Sequence, residues 1–208
     1  MPRLPPSPFA EAERHLGRSD AKLRTLIDRI GPCTMVPNPD GFSVLVRSIV
    51  SQQISTKAAQ SIGGRLLLLC GKGGFKPKNL HALTDEEIRS AGISTGKLLS
   101  LRSLSHHFTE TPTLNRRLKR MTDEEVVATL LPVRGIGVWT AQMFLIFSLG
   151  RLDVLPVADL GFRAGMKHVH ELPEMPDAQS IERLTETWRP YRSIGTWYIW
   201  RCRDNPEK

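Results

Sequence analysis

The 208-residue chain is long enough to bury a sizeable core, either as one domain or as two small lobes. Apolar residues make up 40% and charged ones 24%, an ordinary globular balance, and no uninterrupted apolar run is long enough to span a membrane. Twenty-nine Lys and Arg against 21 Asp and Glu give a net charge of +8 and a pI near 9.8, which suits a nucleic-acid partner and equally a merely basic soluble protein. Cys33, Cys70 and Cys202 are scattered, odd in number and without metal-ligand spacing, so they read as buried or free thiols in a reducing compartment. The opening Met1-Pro2-Arg3-Leu4-Pro5-Pro6-Ser7-Pro8 lacks the apolar core of a signal peptide, and an intracellular location is expected.

Those first eight residues should form an extended lead-in. Ser19-Asp20 can cap a helix with Leu23, Leu26, Ile27 and Ile30 at the helical period, ended by Gly31-Pro32. Asp40 can cap a second helix over Phe42 to Val50. Ser51-Gln52-Gln53-Ile54-Ser55 then interrupts the apolar pattern, and Ser55 or Thr56 can cap a helix to about Cys70. Thr84-Asp85-Glu86-Glu87 is a capping box opening a short helix, and Gly92 to Lys97 turns the chain into another through Leu104. Thr122-Asp123-Glu124-Glu125 repeats the capping box; two well-capped helices explain the repetition better than an old duplication does. A helix follows Asp159 to about His168, another runs from Asp177 to Trp188, and a last one from Tyr191 to Arg203. No stretch reads convincingly as a strand. The class is all-α, with two helical lobes.

The centre of the chain is Leu131-Pro132-Val133-Arg134-Gly135-Ile136-Gly137-Val138-Trp139-Thr140. Gly135 and Gly137 can take φ > 0 and let the backbone press against a bulky ligand. The helix that starts just after them offers N–H groups and a partial positive charge to a phosphate. Val138 to Leu149 is apolar nearly all round and is expected to be the buried spine. Downstream, Leu155-Pro156-Val157-Ala158-Asp159-Leu160-Gly161 sets one carboxylate at the start of another helix.

These two runs, with Leu149-Gly150-Arg151-Leu152-Asp153-Val154 between them, resemble the helix-hairpin-helix (HhH-GPD) superfamily of DNA base-excision glycosylases. Within it the chain is most similar to the 3-methyladenine DNA glycosylase II branch, in a compact form without the extra N-terminal domain of its well-known bacterial member. Val50-Ser51-Gln52-Gln53-Ile54-Ser55 with Lys57-Ala58-Ala59 resembles that branch's DNA-wedge loop, and Trp188-Arg189-Pro190-Tyr191-Arg192-Ser193 through Trp200 resembles its C-terminal helix. The likeness covers most of the chain from about residue 40 onward.

The resemblance implies a lobe over residues 41–149 carrying wedge loop and hairpin, and a lobe over 150–208 carrying the acid, with residues 1–40 packing on the latter and the active-site cleft between the lobes. It implies that Asp159 is the catalytic carboxylate, either stabilising the developing sugar cation or activating water. It implies that Trp139 and Trp200, with Met143 and Leu160, wall a pocket for an alkylated purine, whose positive charge suits aromatic faces; from the residues alone, Met143 reads more simply as core. Where relatives that also cut the backbone carry a Schiff-base lysine, this chain has Trp139, so it should be monofunctional. Only Cys202 lies where the iron–sulfur branch has its four-cysteine cluster, so no cluster and no required cofactor are expected.

For the DNA grip, the resemblance implies phosphates held at Gly135, Gly137 and the Thr140 hydroxyl, with Arg134 beside them. A monovalent cation is implied on the carbonyls of Leu131, Val133 and Ile136. Gln53 is the implied wedge that fills the gap left by an extruded nucleotide, with Gln52 and Ser55 shaping its loop. The expected partner is double-stranded DNA with damaged bases, bound by a monomer, with no membrane. The expected reaction is hydrolysis of the N-glycosidic bond of 3-methyladenine or 7-methylguanine. A catalytically silent DNA-binding module and a glycosylase for deaminated or oxidised bases are the alternatives. His106-His107 and His168-Val169-His170 lack the spacing of a helical zinc pair and should face solvent. Arg116-Arg117-Leu118-Lys119-Arg120 reads as a solvated face or a DNA contact, and Arg163 is placed to pair with Asp159.

Overall fold

Capping side chains set most of the helix starts in the computed structural model, which describes residues 8–204 and the side chains of 8–202. The extended lead-in expected at the N-terminus lies outside the described residues as far as residue 7. Among the described residues the chain has thirteen α-helices and no strand. Helix α1 (Ala10–Ser19) was not apparent in the sequence, and α2 (Ala21–Ile30) starts at Asp20, whose Oδ1 accepts the Lys22 and Leu23 N–H groups. Asp40 caps α3 (Gly41–Ser51) and Ser55 caps α4 (Thr56–Leu69). Helix α5 (Pro77–Ala82) opens on a proline, and α6 (Asp85–Ser90) on the full Thr84/Glu87 capping box. Ser94 caps α7 (Thr95–Glu110), which runs six residues beyond the expected Leu104. Helix α8 (Leu114–Leu118) is followed by α9 (Asp123–Leu130) on the Thr122/Glu125 capping box, and then by α10 (Val138–Phe147). Asp159 caps α11 (Leu160–Val169), Asp177 caps α12 (Ala178–Leu184), and α13 (Arg192–Asp204) closes the chain.

The chain divides into two compact units: one formed by the residues up to Val36 and from Gly150 onward, the other by Pro37–Leu149. In the second unit α10 is the spine, with Thr140, Ala141, Met143, Phe144, Leu145 and Ile146 buried. The expected burial fails at its first turn, where Val138 is 53% exposed and Trp139 half-buried. The spine therefore begins at Thr140, and two apolar side chains of the first turn remain near the surface. Phe42 meets Phe108 edge-on at 5.3 Å, tying α3 to α7. Arg116, Arg117, Lys119 and Arg120 are exposed around the buried Leu118, as either a solvated face or a DNA contact requires.

In the first unit, α11 and α13 press together at Gly165. A Cβ there would overlap the Ile199 side chain and lie 3.0 Å from the Ile199 carbonyl oxygen, so only glycine permits this approach. Tyr198 donates its hydroxyl to the Gly31 carbonyl at 2.9 Å, and the fully buried Trp188 donates its indole N–H to Asp20 at 2.9 Å. The histidine expectation needs correcting. His106 and His168 are exposed, but His107 is half-buried and the His170 side chain is only 11% exposed. His170 stacks on Trp188, and burial lowers its pKa from the ordinary value. All three cysteines are buried and free, and burial pushes the Cys33 thiol up to about 11.

Candidate functional site

The hairpin between α9 and α10 is a succession of tight turns, with Val133 N–H on the Leu130 carbonyl and Ile136 N–H on the Val133 carbonyl, both at 3.0 Å. Its two glycines turn out to do different work. Gly135 has φ +77°, and a Cβ on it would lie 2.6 Å from the Ser100 Cβ of α7, so conformation and packing both demand glycine. Gly137 does not use positive φ, contrary to expectation: at φ −101°, ψ −178° it is ordinary extended backbone. It caps α10 without a side-chain hydrogen bond, and open space lies where a Cβ would stand. What Gly137 leaves is an N-terminus covered by no side chain of its own. Such an end presents N–H groups and the positive pole of the helix dipole.

Two residues expected on the DNA side, Thr140 and Gln52, bond to each other. Thr140 is 1% exposed, and its hydroxyl accepts the Gln52 amide at 3.0 Å. The same Gln52 Nε2 donates to the Gly135 carbonyl at 2.9 Å. Thr140 and Gln52 thus tie hairpin to loop, because a buried hydroxyl needs a protein partner more than a solvated phosphate does. The Arg134 side chain is exposed, while its backbone N–H donates to the Ser103 hydroxyl at 3.2 Å. Leu131 is 43% exposed and Val133 and Ile136 are buried.

The loop after α3 presents Gln53, exposed and at φ +55°, a left-handed conformation uncommon for a non-glycine residue. Ser55 is occupied in capping α4, its hydroxyl accepting the Ala58 N–H at 3.2 Å. Lys97 on α7 escaped the sequence reading. Its Nζ donates to the carbonyls of Val50 and Gln52 at 2.7 and 2.9 Å, and burial lowers its pKa. One signal was available: a cation in the first turn of a helix opposes the dipole, so Lys97 needs another reason to be there.

In the other unit the segment before α11 is fastened at both ends. Arg192 grips Asp153 bidentately, Nε to Oδ1 at 2.6 Å and Nη2 to Oδ2 at 2.9 Å, and Arg189 adds a contact at 2.9 Å. Val154, Leu155 and Pro156 are buried, and the Asp159 N–H closes a turn on the Pro156 carbonyl at 2.9 Å. Asp159 stands half-buried between the exposed Ala158 and Leu160, the latter 69% exposed. Its Oδ1 accepts the Phe162 N–H at 2.5 Å and the Trp200 indole N–H at 2.9 Å. The close approach at Gly165 brings α13 near enough for that second bond. Trp200 is half-buried; Trp197 and Tyr198 are buried packing residues, and Met143 is 5% exposed. Arg163 directs its Nε to the Pro176 carbonyl at 2.9 Å. No cluster of three or more His, Cys, Asp or Glu side chains able to hold a metal occurs among the described residues.

Known proteins resemble the chain along most of its length. DNA-3-methyladenine glycosylase 1 of Schizosaccharomyces pombe is 32% identical over 199 residues, covering 93% of this chain and 87% of its own. The alkylbase DNA glycosidase-like protein mag2 of the same yeast is 31% identical over 205 residues, covering 94% of each. The structure of the S. pombe 3-methyladenine DNA glycosylase (Mag1) in complex with abasic DNA matches with a TM-score of 0.84 and 32% identity, covering 93% of this chain and 97% of that one. Residues 46–190 match the family described as "HhH-GPD superfamily base excision DNA repair protein". The chain belongs to the HhH-GPD superfamily of base excision DNA repair proteins.

Proposed function

We propose that the protein is a monofunctional DNA glycosylase that hydrolyses the N-glycosidic bond of alkylated purines, 3-methyladenine and 7-methylguanine foremost, leaving an abasic site. The observation that carries this reading is the Asp159 carboxyl oxygen, fixed by two converging N–H donors at the head of α11. As the bond from the sugar to the base breaks, positive charge builds on the deoxyribose. A carboxylate already oriented stabilises that charge without reorganising, and water then takes the place of the base. Alkylation makes the purine cationic and a good leaving group, so the chemistry asks little general-acid help. Trp139 and Trp200 offer aromatic faces to that cation. No amine stands at position 139 to form a Schiff base, which supports hydrolysis without strand cleavage.

The uncovered start of α10, with Gly135, Gly137 and the exposed Arg134, is the phosphate grip on double-stranded DNA, and Gln53 is the wedge. A monovalent cation would fit the hairpin as a structural ion. Leu131, Val133 and Ile136 offer neutral carbonyl oxygens, and that of Val133, already accepting the Ile136 N–H, would use its second lone pair. The reaction needs no other cofactor. The protein works as a monomer inside the cell, where its DNA substrate is; no helix is long and apolar enough to cross a membrane among the described residues.

Two experiments follow. Incubated with methylated duplex, the protein should leave strands intact but carrying alkali-labile abasic sites, and borohydride should trap no covalent adduct. A trapped adduct or direct nicking contradicts the monofunctional reading. Trp200→Phe keeps the ring but removes the donor to Asp159. Losing one hydrogen bond to a charged group should slow single-turnover excision about tenfold. A wild-type rate would mean that the indole N–H does not help orient the acid.

A further inference from the structure

We propose that Lys97 is a positioning residue for nucleotide extrusion: from one face of α7 it holds the wedge loop and the hairpin in a single register. The inference rests on the reading of Gln53 as the wedge. Lys97 spans the end of α3, where carbonyls lack intrahelical partners, and satisfies both Val50 and Gln52. Those carbonyls precede Gln53, whose left-handed backbone is costly for a side-chain-bearing residue and persists only where its surroundings fix it. Lys97 holds the Gln52 carbonyl, and therefore the plane of the peptide that leads into Gln53.

The Gln52 side chain carries the same order onward, to the Gly135 carbonyl and the Thr140 hydroxyl. Two more α7 residues reach the hairpin directly. Ser100 packs beneath Gly135, and the Ser103 hydroxyl accepts the Arg134 N–H. Lys97, Ser100 and Ser103 recur every three residues and so share one helix face. One rigid helix therefore supports both the element that fills the gap in the duplex and the element that grips its backbone. A wedge ordered before it meets DNA need not lose that freedom during insertion. With its ammonium turned onto two carbonyls, Lys97 acts through Gln53 and not through a phosphate.

The test uses the whole protein with two probes: a duplex holding a stable abasic-site analogue opposite 2-aminopurine, and a duplex containing 7-methylguanine. Lys97→Met should lower the 2-aminopurine signal at saturation and slow single-turnover excision about tenfold, while Lys97→Arg restores most of both. In a Gln53→Ala background, Lys97→Met should cost less than about twofold more, because coupled residues are not additive. The proposal is overturned if Lys97→Met matches wild type or costs the full factor again in the Gln53→Ala protein. It is also overturned if the loss comes from weaker DNA affinity with a shallower salt dependence, the mark of a lost phosphate contact. A Gln53→Ala protein with a wild-type 2-aminopurine signal sinks the wedge reading itself, and this inference with it. If Lys97→Met does not fold, Gln52→Met must show the same coupling to Gln53, and additivity there overturns the proposal.

Discussion

Asp159→Asn should fold, bind DNA with near wild-type affinity, and release base from methylated duplex roughly a thousandfold more slowly. Asparagine is as good a helix cap as aspartate, and its carbonyl oxygen can accept from both Phe162 and Trp200. The substitution therefore keeps the architecture at the head of α11 and removes only the charge. Asp159→Ala makes the contrast, losing the charge and also a cap of about 1 kcal/mol. Single-turnover excision, binding titrations and thermal melts on the three proteins separate the two roles. A capping residue with no catalytic part would leave Asp159→Asn active and make Asp159→Ala merely less stable.

Gly135→Ala should be the most damaging small substitution in the hairpin. Alanine at φ +77° costs about 1–2 kcal/mol. Its methyl also runs into the Ser100 Cβ, whose position is fixed by the α7 backbone so that it cannot swing away, adding about 1–3 kcal/mol. Gly137→Ala is the control, since its backbone is extended and space is open at the missing Cβ. Melting curves should show a large loss for the first and little change for the second, and DNA binding should weaken with Gly135→Ala as the turn reshapes. Gly135→Ala combined with Ser100→Gly should recover the packing part and leave the conformational part. An unchanged melt for Gly135→Ala would mean the turn relaxes without cost.

Most of the helices that sequence revealed are announced by a capping side chain: Asp20, Asp40, Ser55, Thr84, Ser94, Thr122, Asp159 and Asp177 each cap the helix that follows, while α10 was legible from its apolar run alone. Those that went unread, α1, α5 and α8, have no capping side-chain bond, and two are six residues or shorter. Their starts depend on tertiary packing, which local pattern does not report. Local pattern also marked Asp159 as a helix start, and resemblance marked it as the acid. Neither could reveal the indole donor from Trp200, because that bond crosses between helices whose approach is set by Gly165. Glycine in the hairpin was legible as a type but not by position: only Gly135 needs its conformational freedom. The roles of Lys97, Ser100 and Ser103 were hidden for the same reason as the Trp200–Asp159 bond, apart from the unfavourable placing of a cation in the first turn of α7. Their partners lie on other elements, and nothing in the spacing along α7 names them.

The most direct measurement is chromatography of the free bases released when the wild-type protein is incubated with methylated duplex DNA. Peaks of 3-methyladenine and 7-methylguanine should grow with time and be absent with Asp159→Asn. Tight binding to that DNA with no free base at any time would contradict the glycosylase reading, and would leave a DNA-binding module in place of an enzyme.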